Sequence, residues 1–247
     1  MVNDSTLIFG TRPVIEAIEA GRPIERIFIK KGLQGETFFE LNQLIRRYNL
    51  PFQMVPVEKL NRLTRKNHQG IVAIVSPIIY QKTEMLLPGW YEQGLNPLVL
   101  ILDRITDVRN MGAVARTAEC TGVNAILFPS KGSARINADA VKTSAGALNR
   151  IAVEKSDSLT QSLKYLKNSG LQIVACTEKS TLNYLDVDYT KPTAIIMGSE
   201  EDGISGQLLK QADVSVSIPL KGEIGSLNVS VAAGVILYEA VRQRSNE

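Results

Sequence analysis

The sequence predicts an α/β protein of two domains joined by a short linker. Buried-type apolar runs recur after residue 97, namely LVLIL, AILFP, LQIVAC, TAIIMG and VSVSIP. Continuous runs of this kind are typical of strands covered on both faces, which indicates a mostly parallel sheet between helices. Residues 76–97 contain three prolines and two glycines and lack periodicity. Residues 77–96 are therefore predicted to be a linker between domains 1–76 and 97–247.

The first domain is predicted to be a compact α/β unit because short helices and strands alternate along it. TRPVIEAIEA and ETFFELNQLIRRY have helical spacing of their apolar residues, whereas IERIFIKK has strand spacing. IVAIV is a continuous apolar strand.

Charge is distributed unevenly over the 247 residues. Residues 1–80 carry 11 Lys and Arg against 7 Asp and Glu, while residues 97–247 carry 16 against 16. The excess of four positive charges permits a nucleic-acid partner for the first domain, although a solvated surface explains so small a charge equally well.

The cysteine content and the apolar segments indicate a cytoplasmic protein. Cys120 and Cys176 stand in apolar surroundings without pairing or metal-ligand spacing, so both are expected to be buried, reduced thiols. The opening MVNDSTLIFG lacks the pattern of a signal peptide, and no segment approaches the roughly 20 apolar residues that span a bilayer. A membrane partner is therefore not expected.

Three loops follow predicted strands, and ligands of open parallel sheets bind beyond the carboxyl ends of the strands. The first loop, DRITDVRNMGAVAR, places Asn110 near a helix start and Arg116 further along that helix. Asn110 could be a simple helix cap and Arg116 a surface charge. A polar cluster with Gly112 at a helix start also suits a polar or anionic ligand.

The other two loops are rich in glycine. GSEEDGIS, starting at Gly198, is either a turn before a helix or a site for a ligand with hydroxyls or a positive charge. It lacks the spacing of a dinucleotide or phosphate-binding loop. LKGEIGSLN leads into a run of small residues. A helix that carried Ser226, Ser230 and Gly234 at intervals of four could serve close packing alone, yet packing does not require the glycines and polar groups before it.

The three loops together resemble the motifs of the SpoU-type RNA ribose 2′-O-methyltransferases. The motifs are D-x-x-x-D-x-x-N-x-G-A-x-x-R-T-A from Asp103, G-S-E-E-D-G from Gly198, and I-P-L-K-G-E-I-G-S-L-N-V-S-V-A-A-G from Ile218. The segment NHQG, from Asn67, extends the resemblance to the first domain. There it is similar to the branch of the family that methylates guanosine in bacterial large-subunit (23S) rRNA.

The resemblance implies a fold, a cofactor and a set of site residues. The fold would be a ribosomal-protein-like α/β domain followed by a trefoil-knotted α/β methyltransferase domain. S-adenosyl-L-methionine would lie in the knot, and no metal would be needed. The implied cofactor-binding residues are Met197, Gly198, Ile218, Leu220 and Leu227, and the implied catalytic residues are Asn110, Arg116, Glu200, Ser226 and Asn228.

Arg116 is the residue that the resemblance places at the nucleophile. A guanidinium with a pKa above about 12 is a poor proton acceptor. We therefore favour Arg116 as a clamp on the adjacent phosphate and a stabiliser of the developing alkoxide over Arg116 as a general base.

The first domain is expected to bind the rRNA substrate through a basic loop before its last strand. His68 is the only histidine, and a lone histidine is most often structural. Its neighbours are basic and polar, as suits phosphates and exposed bases of an RNA hairpin. The predicted RNA-binding residues are Arg12, Arg62, Arg65, Lys66, Asn67, His68 and Gln69.

The resemblance also implies a homodimer whose active sites lie at the subunit interface. Two alternatives to an rRNA methyltransferase stay open. The chain could be a tRNA ribose 2′-O-methyltransferase, which shares the three motifs, or a non-catalytic RNA-binding factor of ribosome assembly. The presence of all five implied catalytic residues argues against the non-catalytic alternative.

Overall fold

The computed structural model describes residues 6–245, which form two compact units that divide after Ile79. No helix within these residues is long and apolar enough to cross a membrane. Across the same residues, no three His, Cys, Asp or Glu side chains gather in a group that could hold a metal ion.

The first unit is a four-stranded mixed sheet with helices on both faces. Its elements are β1 (Leu7–Phe9), α1 (Thr11–Glu19), β2 (Ile24–Lys30), α2 (Glu36–Arg47), β3 (Phe52–Val55), α3 (Val57–Leu63) and β4 (Ile71–Val75). The strand order is β1-β4-β2-β3, in which β4 is antiparallel to β1 and β2, and β3 is parallel to β2. The four elements predicted from periodicity are confirmed.

Alternate residues of β2 face the two layers of this unit. Ile27 and Ile29 pack beneath α1 and α2, whereas Phe28 packs on the other face against Leu60 of α3. A strand that is covered on both sides in this way lacks a polar face, which explains the apolar run IFI in its middle.

The second unit contains a six-stranded, fully parallel sheet in the order β10-β8-β9-β5-β6-β7. Its strands are β5 (Leu98–Leu102), β6 (Ala125–Pro129), β7 (Ala152–Ser156), β8 (Gln172–Cys176), β9 (Thr193–Met197) and β10 (Val214–Val216). Its helices are α4 (Thr83–Glu92), α5 (Val108–Cys120), α6 (Ala138–Thr143), α7 (Leu159–Asn168), α8 (Gly206–Leu209) and α9 (Val229–Arg244). The predicted α/β class and parallel sheet are confirmed.

Half of the predicted linker is a helix of the second unit. Within α4, Leu87 is fully buried in the core of that unit. Pro88 hid the helix from sequence reasoning because proline removes a helical N–H and frees the carbonyl four residues before it. That carbonyl, of Glu84, instead accepts a hydrogen bond of 3.2 Å from the hydroxyl of Tyr165. Residues 83–92, which were predicted to belong to the linker, therefore form a helix of the second unit.

The segment between β8 and β9 contacts both the end of β10 and the end of α9. Ser217 exchanges backbone hydrogen bonds with Leu182 and Tyr184, at 2.8 and 3.0 Å. Gln243 donates to the carbonyl of Val187 at 2.9 Å and accepts from the backbone N–H of Tyr189 at 2.8 Å. The last part of the chain thus passes close to an earlier loop, as a knot requires; the knot itself stays a prediction.

The two cysteines differ from each other in exposure. Cys120, on α5, is exposed, so the expectation of a buried thiol is wrong there; its position falls on the solvent side of that helix. Cys176, at the end of β8, is half-buried. Burial, with a smaller contribution from Glu178, raises the pKa of its thiol to about 12, so the thiol is protonated at neutral pH.

Candidate active site

The carboxyl ends of four neighbouring strands, β10, β8, β9 and β5, gather the loops that sequence reasoning selected. A cavity of about 270 Å³ opens among the loops after β8, β9 and β10 and the start of α9. All five predicted cofactor-binding residues line it, together with Glu200 and Ser226. This is the place that open parallel sheets use for ligands.

A polar network joins three of the predicted catalytic residues. One carboxylate oxygen of Glu200 accepts hydrogen bonds from the side-chain amides of Asn110 and Asn228, each at 2.8 Å. The Asn228 amide also donates to the side-chain oxygen of Asn110 at 3.1 Å. The network therefore ties together the loops after β5 and β9 and the start of α9.

Helix capping orients the two asparagines. Asp107 caps α5 by accepting from the backbone N–H groups of Arg109 and Asn110, at 2.6 and 3.3 Å. Asn228 caps α9, where its side-chain oxygen accepts from the backbone N–H and the hydroxyl of Ser230, at 2.9 and 2.6 Å. Because its oxygen is used in this cap, the amide nitrogen of Asn228 points toward Glu200. The cap of α5 is Asp107, so the capping alternative for Asn110 does not apply.

An ion pair that sequence reasoning missed holds the loop after β9. The buried Asp103 accepts from the backbone N–H of Ser205 at 2.7 Å and from Arg104 at 3.1 and 3.3 Å. Arg104 also donates to Asp202 and to the carbonyl of Gly203, both at 3.0 Å. Its hydrogen bond to Asp103 is the largest of the interactions that raise its pKa. Asp103 opens the first motif, but the spacing could not reveal its partner 102 residues later.

Gly198 permits the chain to fold back on itself within this loop. A β-carbon built at Gly198 would lie 2.2 Å from the carbonyl carbon of Gly203 and 2.3 Å from the nitrogen of Ile204. The obstructing atoms are backbone, which cannot swing away as a flexible side chain would. Ser199 and Gly203 exchange the two backbone hydrogen bonds of the reversal, at 3.2 and 3.0 Å. Glycine is therefore required at position 198 by close approach.

Arg116 lies apart from the other predicted catalytic residues. It is exposed on α5, lines neither of the two cavities in this part of the molecule, and stands six residues beyond Asn110. At about 100° per residue this places it on a different side of the helix. Within a single subunit, the structure does not bring Arg116 to the Glu200 network.

A second cavity, of about 190 Å³, lies beside the first. The two cavities share Ser199, Glu200, Glu201 and Asp202 as lining residues, and Asn110 lines only the second. The Glu200 network therefore stands at the boundary between two spaces.

In the first unit, the predicted RNA-binding residues gather at one end of the sheet. Arg65–Gln69 lie in the loop before β4, and Arg62 lies near the end of α3. Arg12, at the start of α1, is exposed but forms an ion pair of 3.2 Å with Glu40. The ammonium group of Lys66 lies over the ring of Phe9, 5.4 Å from its centroid.

His68 shapes this loop through both nitrogens of its ring. Nδ1 accepts from the backbone N–H of Gly70 at 3.0 Å, and Nε2 lies 2.9 Å from the side-chain oxygen of Asn61. Accepting at Nδ1 while donating at Nε2 requires the neutral form with the proton on Nε2. His68 is therefore a structural residue of the loop, whatever contact it makes with RNA.

Two exposed lysines that sequence reasoning missed lie at the same end of the sheet. Lys30 ends β2, and its backbone N–H donates to the carbonyl of Gly70 at 2.8 Å. Lys31 follows it and donates to the carbonyl of Val55 at 2.9 Å. Only the pairing of β2 with β4 places the KK pair next to the basic loop, so strand topology was the information that the sequence pattern lacked.

Two family models match the chain. The SpoU rRNA Methylase family matches residues 97–238, which include the Glu200 network. A model described as RNA 2'-O ribose methyltransferase substrate binding matches residues 7–81. The chain belongs to the SpoU rRNA methylase family.

Similar proteins support this membership over nearly the whole chain. A Staphylococcus aureus (strain MSSA476) protein named as a TrmH family tRNA/rRNA methyltransferase is 32% identical over 241 residues, covering 98% of this chain and 97% of that protein. The crystal structure of the SpoU methyltransferase AviRb from Streptomyces viridochromogenes, in complex with AdoMet, is 25% identical with a TM-score of 0.62. It covers 98% of this chain and 91% of that one.

A third relative matches a smaller part of the chain. The A. aeolicus TrmH/SpoU tRNA modifying enzyme is 37% identical, with a TM-score of 0.57, over 62% of this chain and 77% of its own. The SpoU family is thus represented among solved structures both at nearly full length and over a shorter region.

The close approach at Gly198 yields a prediction. Gly198→Ala should displace the loop of residues 199–204, destabilise the protein by about 1–3 kcal/mol and weaken S-adenosyl-L-methionine binding at least about tenfold. Thermal unfolding and calorimetric titration of the full chain measure both effects. Gly206→Ala is the matched control, because a β-carbon at Gly206 meets nothing within 4 Å. Equal cofactor affinity in the two variants would contradict the packing argument.

Proposed function

We propose that this SpoU family member transfers a methyl group from S-adenosyl-L-methionine to the ribose 2′-hydroxyl of a guanosine in large-subunit (23S) rRNA. The observation that carries the proposal is the Glu200 network, which joins three sequence motifs at the edge of a cavity large enough for a ligand.

The lining of the larger cavity fits the proposed cofactor. Met197, Ile218, Leu220 and Leu227 offer apolar surface for the adenosine part. The charged lining residues are Glu178, Lys179, Glu200, Glu201 and Asp202, which sum to a formal charge of −3. Such a cavity favours a ligand with a positively charged sulfonium over an anionic nucleotide. When bound, the cofactor supplies an activated methyl group for in-line attack by the hydroxyl oxygen.

The residues of the chain hold the acceptor and ease loss of its proton. Two amides fix one carboxylate oxygen of Glu200, so the other is free to accept a hydrogen bond within the site. Alignment of the hydroxyl with the methyl group provides most of the rate enhancement, because displacement needs an in-line geometry. Ser226, which lines the cavity, and Asn110 and Asn228 serve as positioning residues.

Arg116 is proposed to complete the site of a second subunit. It has no partner among residues 6–245 and lies on an exposed face of α5 that also carries Arg109. Exposed apolar residues near the site support a homodimer: Ile224 is 80% exposed, and Val231 and Tyr238 on α9 are 52% and 58% exposed. In a two-fold dimer, Arg116 of one subunit would clamp the phosphate next to the ribose held by the other.

The first unit is proposed to hold the RNA through its basic strand end. Six cationic side chains lie there, because Lys30 and Lys31 join Arg12, Arg62, Arg65 and Lys66. Backbone phosphates are the natural partners of such a cluster, and they set affinity more than sequence preference.

A tRNA substrate is the second candidate. The tRNA modifying enzyme of A. aeolicus favours it through its 37% identity, yet that match extends over only 62% of this chain. The substrate-binding match over residues 7–81 supports an additional unit that holds RNA, and we favour rRNA because tRNA ribose 2′-O-methyltransferases commonly lack such a unit.

The central test is transfer of a labelled methyl group to RNA. Full-length protein with S-adenosyl-L-methionine should methylate a ribose 2′-hydroxyl in an unmodified large-subunit rRNA transcript, whereas total tRNA transcripts should receive at least about tenfold less label. Mapping of 2′-O-methylation along the transcript identifies the nucleotide. Preferential labelling of tRNA would establish the second candidate, and labelling of neither RNA would refute the methyltransferase proposal for these substrates.

The basic loop gives a further prediction. Replacing both Arg65 and Lys66 by alanine should weaken rRNA binding and flatten its dependence on salt, because two phosphate contacts are lost. Cofactor affinity should not change. The matched control replaces Arg46 and Arg47 by alanine, which removes the same charge. These two residues lie in the last turn of α2, and that turn is about 18 Å along the helix from the strand end that carries the basic loop. Equal weakening by the two double variants would show that net charge, and not this loop, determines binding.

The shared site predicts rescue between two inactive variants. Arg116→Ala and Asn228→Ala should each be nearly inactive as homodimers. When the two are unfolded together and refolded, half of the dimers should be mixed, and each mixed dimer should contain one intact site. About a quarter of wild-type activity should return. Each variant refolded alone is the control, and proven subunit exchange without rescue would refute the shared site.

A further inference from the structure

The smaller cavity has a role that the cofactor does not account for. It lies among the loops after β5, β6 and β9, where Arg104–Asp107, Asn110, Gly132 and Ser199–Asp202 line it. Its volume of about 190 Å³ is smaller than the volume of about 270 Å³ of the larger cavity. The space therefore suits one part of a larger ligand, such as a single base.

The charge of this cavity excludes the RNA phosphate as its occupant. Four carboxylates, Asp107, Glu200, Glu201 and Asp202, line it with one guanidinium, that of Arg104, so the formal charge of the lining is −3. A phosphodiester would be repelled. A neutral group with several hydrogen-bond donors is the favoured occupant.

The existing hydrogen bonds leave one of these carboxylates with both of its oxygens available. Asp202 pairs with Arg104 at 3.0 Å, Asp107 caps α5, and Glu200 is held by two amides. Glu201 is exposed and forms no hydrogen bond or ion pair with the rest of residues 6–245. It is the acceptor that a donor-rich ligand would meet.

We propose that this cavity receives the base of the nucleotide to be methylated, and that the Glu201 carboxylate recognises guanine. The inference rests on the proposed methyltransferase function and names the group that selects its substrate. Guanine presents two adjacent donors on its Watson–Crick edge, the N1–H and the 2-amino group, which match the two oxygens of a carboxylate. The other three bases present only one donor group there. Enzymes that act on extruded nucleotides commonly read this edge with hydrogen bonds.

The position of the cavity agrees with this assignment. Glu200 and its neighbours Ser199, Glu201 and Asp202 line both cavities and so form the wall between them. A nucleotide whose base enters the smaller cavity would place its ribose beside that wall, where the 2′-hydroxyl can face the methyl donor. One carboxylate network would thus border the cofactor on one side and the nucleotide on the other.

The test combines a variant with a modified substrate. Wild type and Glu201→Gln are assayed on the rRNA transcript with guanosine, or with inosine, at the nucleotide that mapping identifies. Inosine lacks the 2-amino group. On guanosine, Glu201→Gln should lower kcat/KM about 10- to 100-fold, the range expected for a lost bidentate base contact. For wild type, kcat/KM should be at least about fivefold lower on inosine than on guanosine. For the variant, kcat/KM should be nearly the same on the two substrates.

Cofactor affinity and a control variant separate this role from the alternatives. Glu201 also lines the larger cavity, so the loss of kcat/KM on guanosine for Glu201→Gln should exceed any loss of S-adenosyl-L-methionine affinity that calorimetric titration measures. Asp157→Asn, the same chemical change at an exposed position outside both cavities, should leave both rates unaltered.

Distinct outcomes would overturn the inference. An equal loss for Glu201→Gln on guanosine and inosine, or a loss that follows cofactor affinity, would assign Glu201 to the cofactor. Methylation by wild type at a nucleotide other than guanosine would overturn guanine recognition and leave the methyltransferase function standing. No transfer to any RNA would overturn both.

Discussion

The carboxylate of Glu200 is the point on which the candidate active site depends. It accepts from two amides that belong to residues 90 positions before it and 28 positions after it. Because both amides donate to the same carboxylate oxygen, this one side chain links three loops. Without it, Asn110 and Asn228 would be joined only by the 3.1 Å hydrogen bond between their side chains.

The strand order makes that meeting possible. β9 lies between β8 and β5, and β10 lies beyond β8, so the loops that leave these strands emerge next to one another. All six strands are parallel, and their carboxyl ends therefore face the same edge. The buried Asp103 holds the loop after β9 through its hydrogen bond to Ser205, and Gly198, which has no side chain, permits that loop to fold back on itself. Both features keep Glu200 at the rim of two cavities.

Under the proposed function, the two units would divide RNA recognition between them by charge. The first presents cations at one strand end, and cations attract the phosphate backbone of RNA regardless of sequence. The second lines both cavities with carboxylates, which repel phosphate and favour a cationic cofactor and a donor-rich base. In this scheme the first unit provides affinity, and the second provides the choice of nucleotide and the reaction.

The sequence by itself determined the α/β class, five of the six strands of the parallel sheet and the loops that carry the site. Burial on both faces leaves a continuous apolar run in each strand, and loops at strand ends leave glycine and polar residues, so local patterns record both. Local patterns selected the loops that carry Asn110, Glu200 and Asn228. The family resemblance added five residues that line the larger cavity, whereas the lining residues after β8 were missed.

Only the tertiary structure decided which of the selected residues meet. Arg116 shares a motif with Asn110 but faces another side of α5, because helical rotation separates residues six positions apart. Arg104 and Asp103 acquire their role from a loop about 100 residues away, and Lys30 joins the basic loop through strand pairing. Such contacts follow from the order of strands in a sheet, which periodicity does not record. The helix at residues 83–92 was missed for a related reason: a hydroxyl from α7 satisfies the carbonyl that Pro88 leaves free.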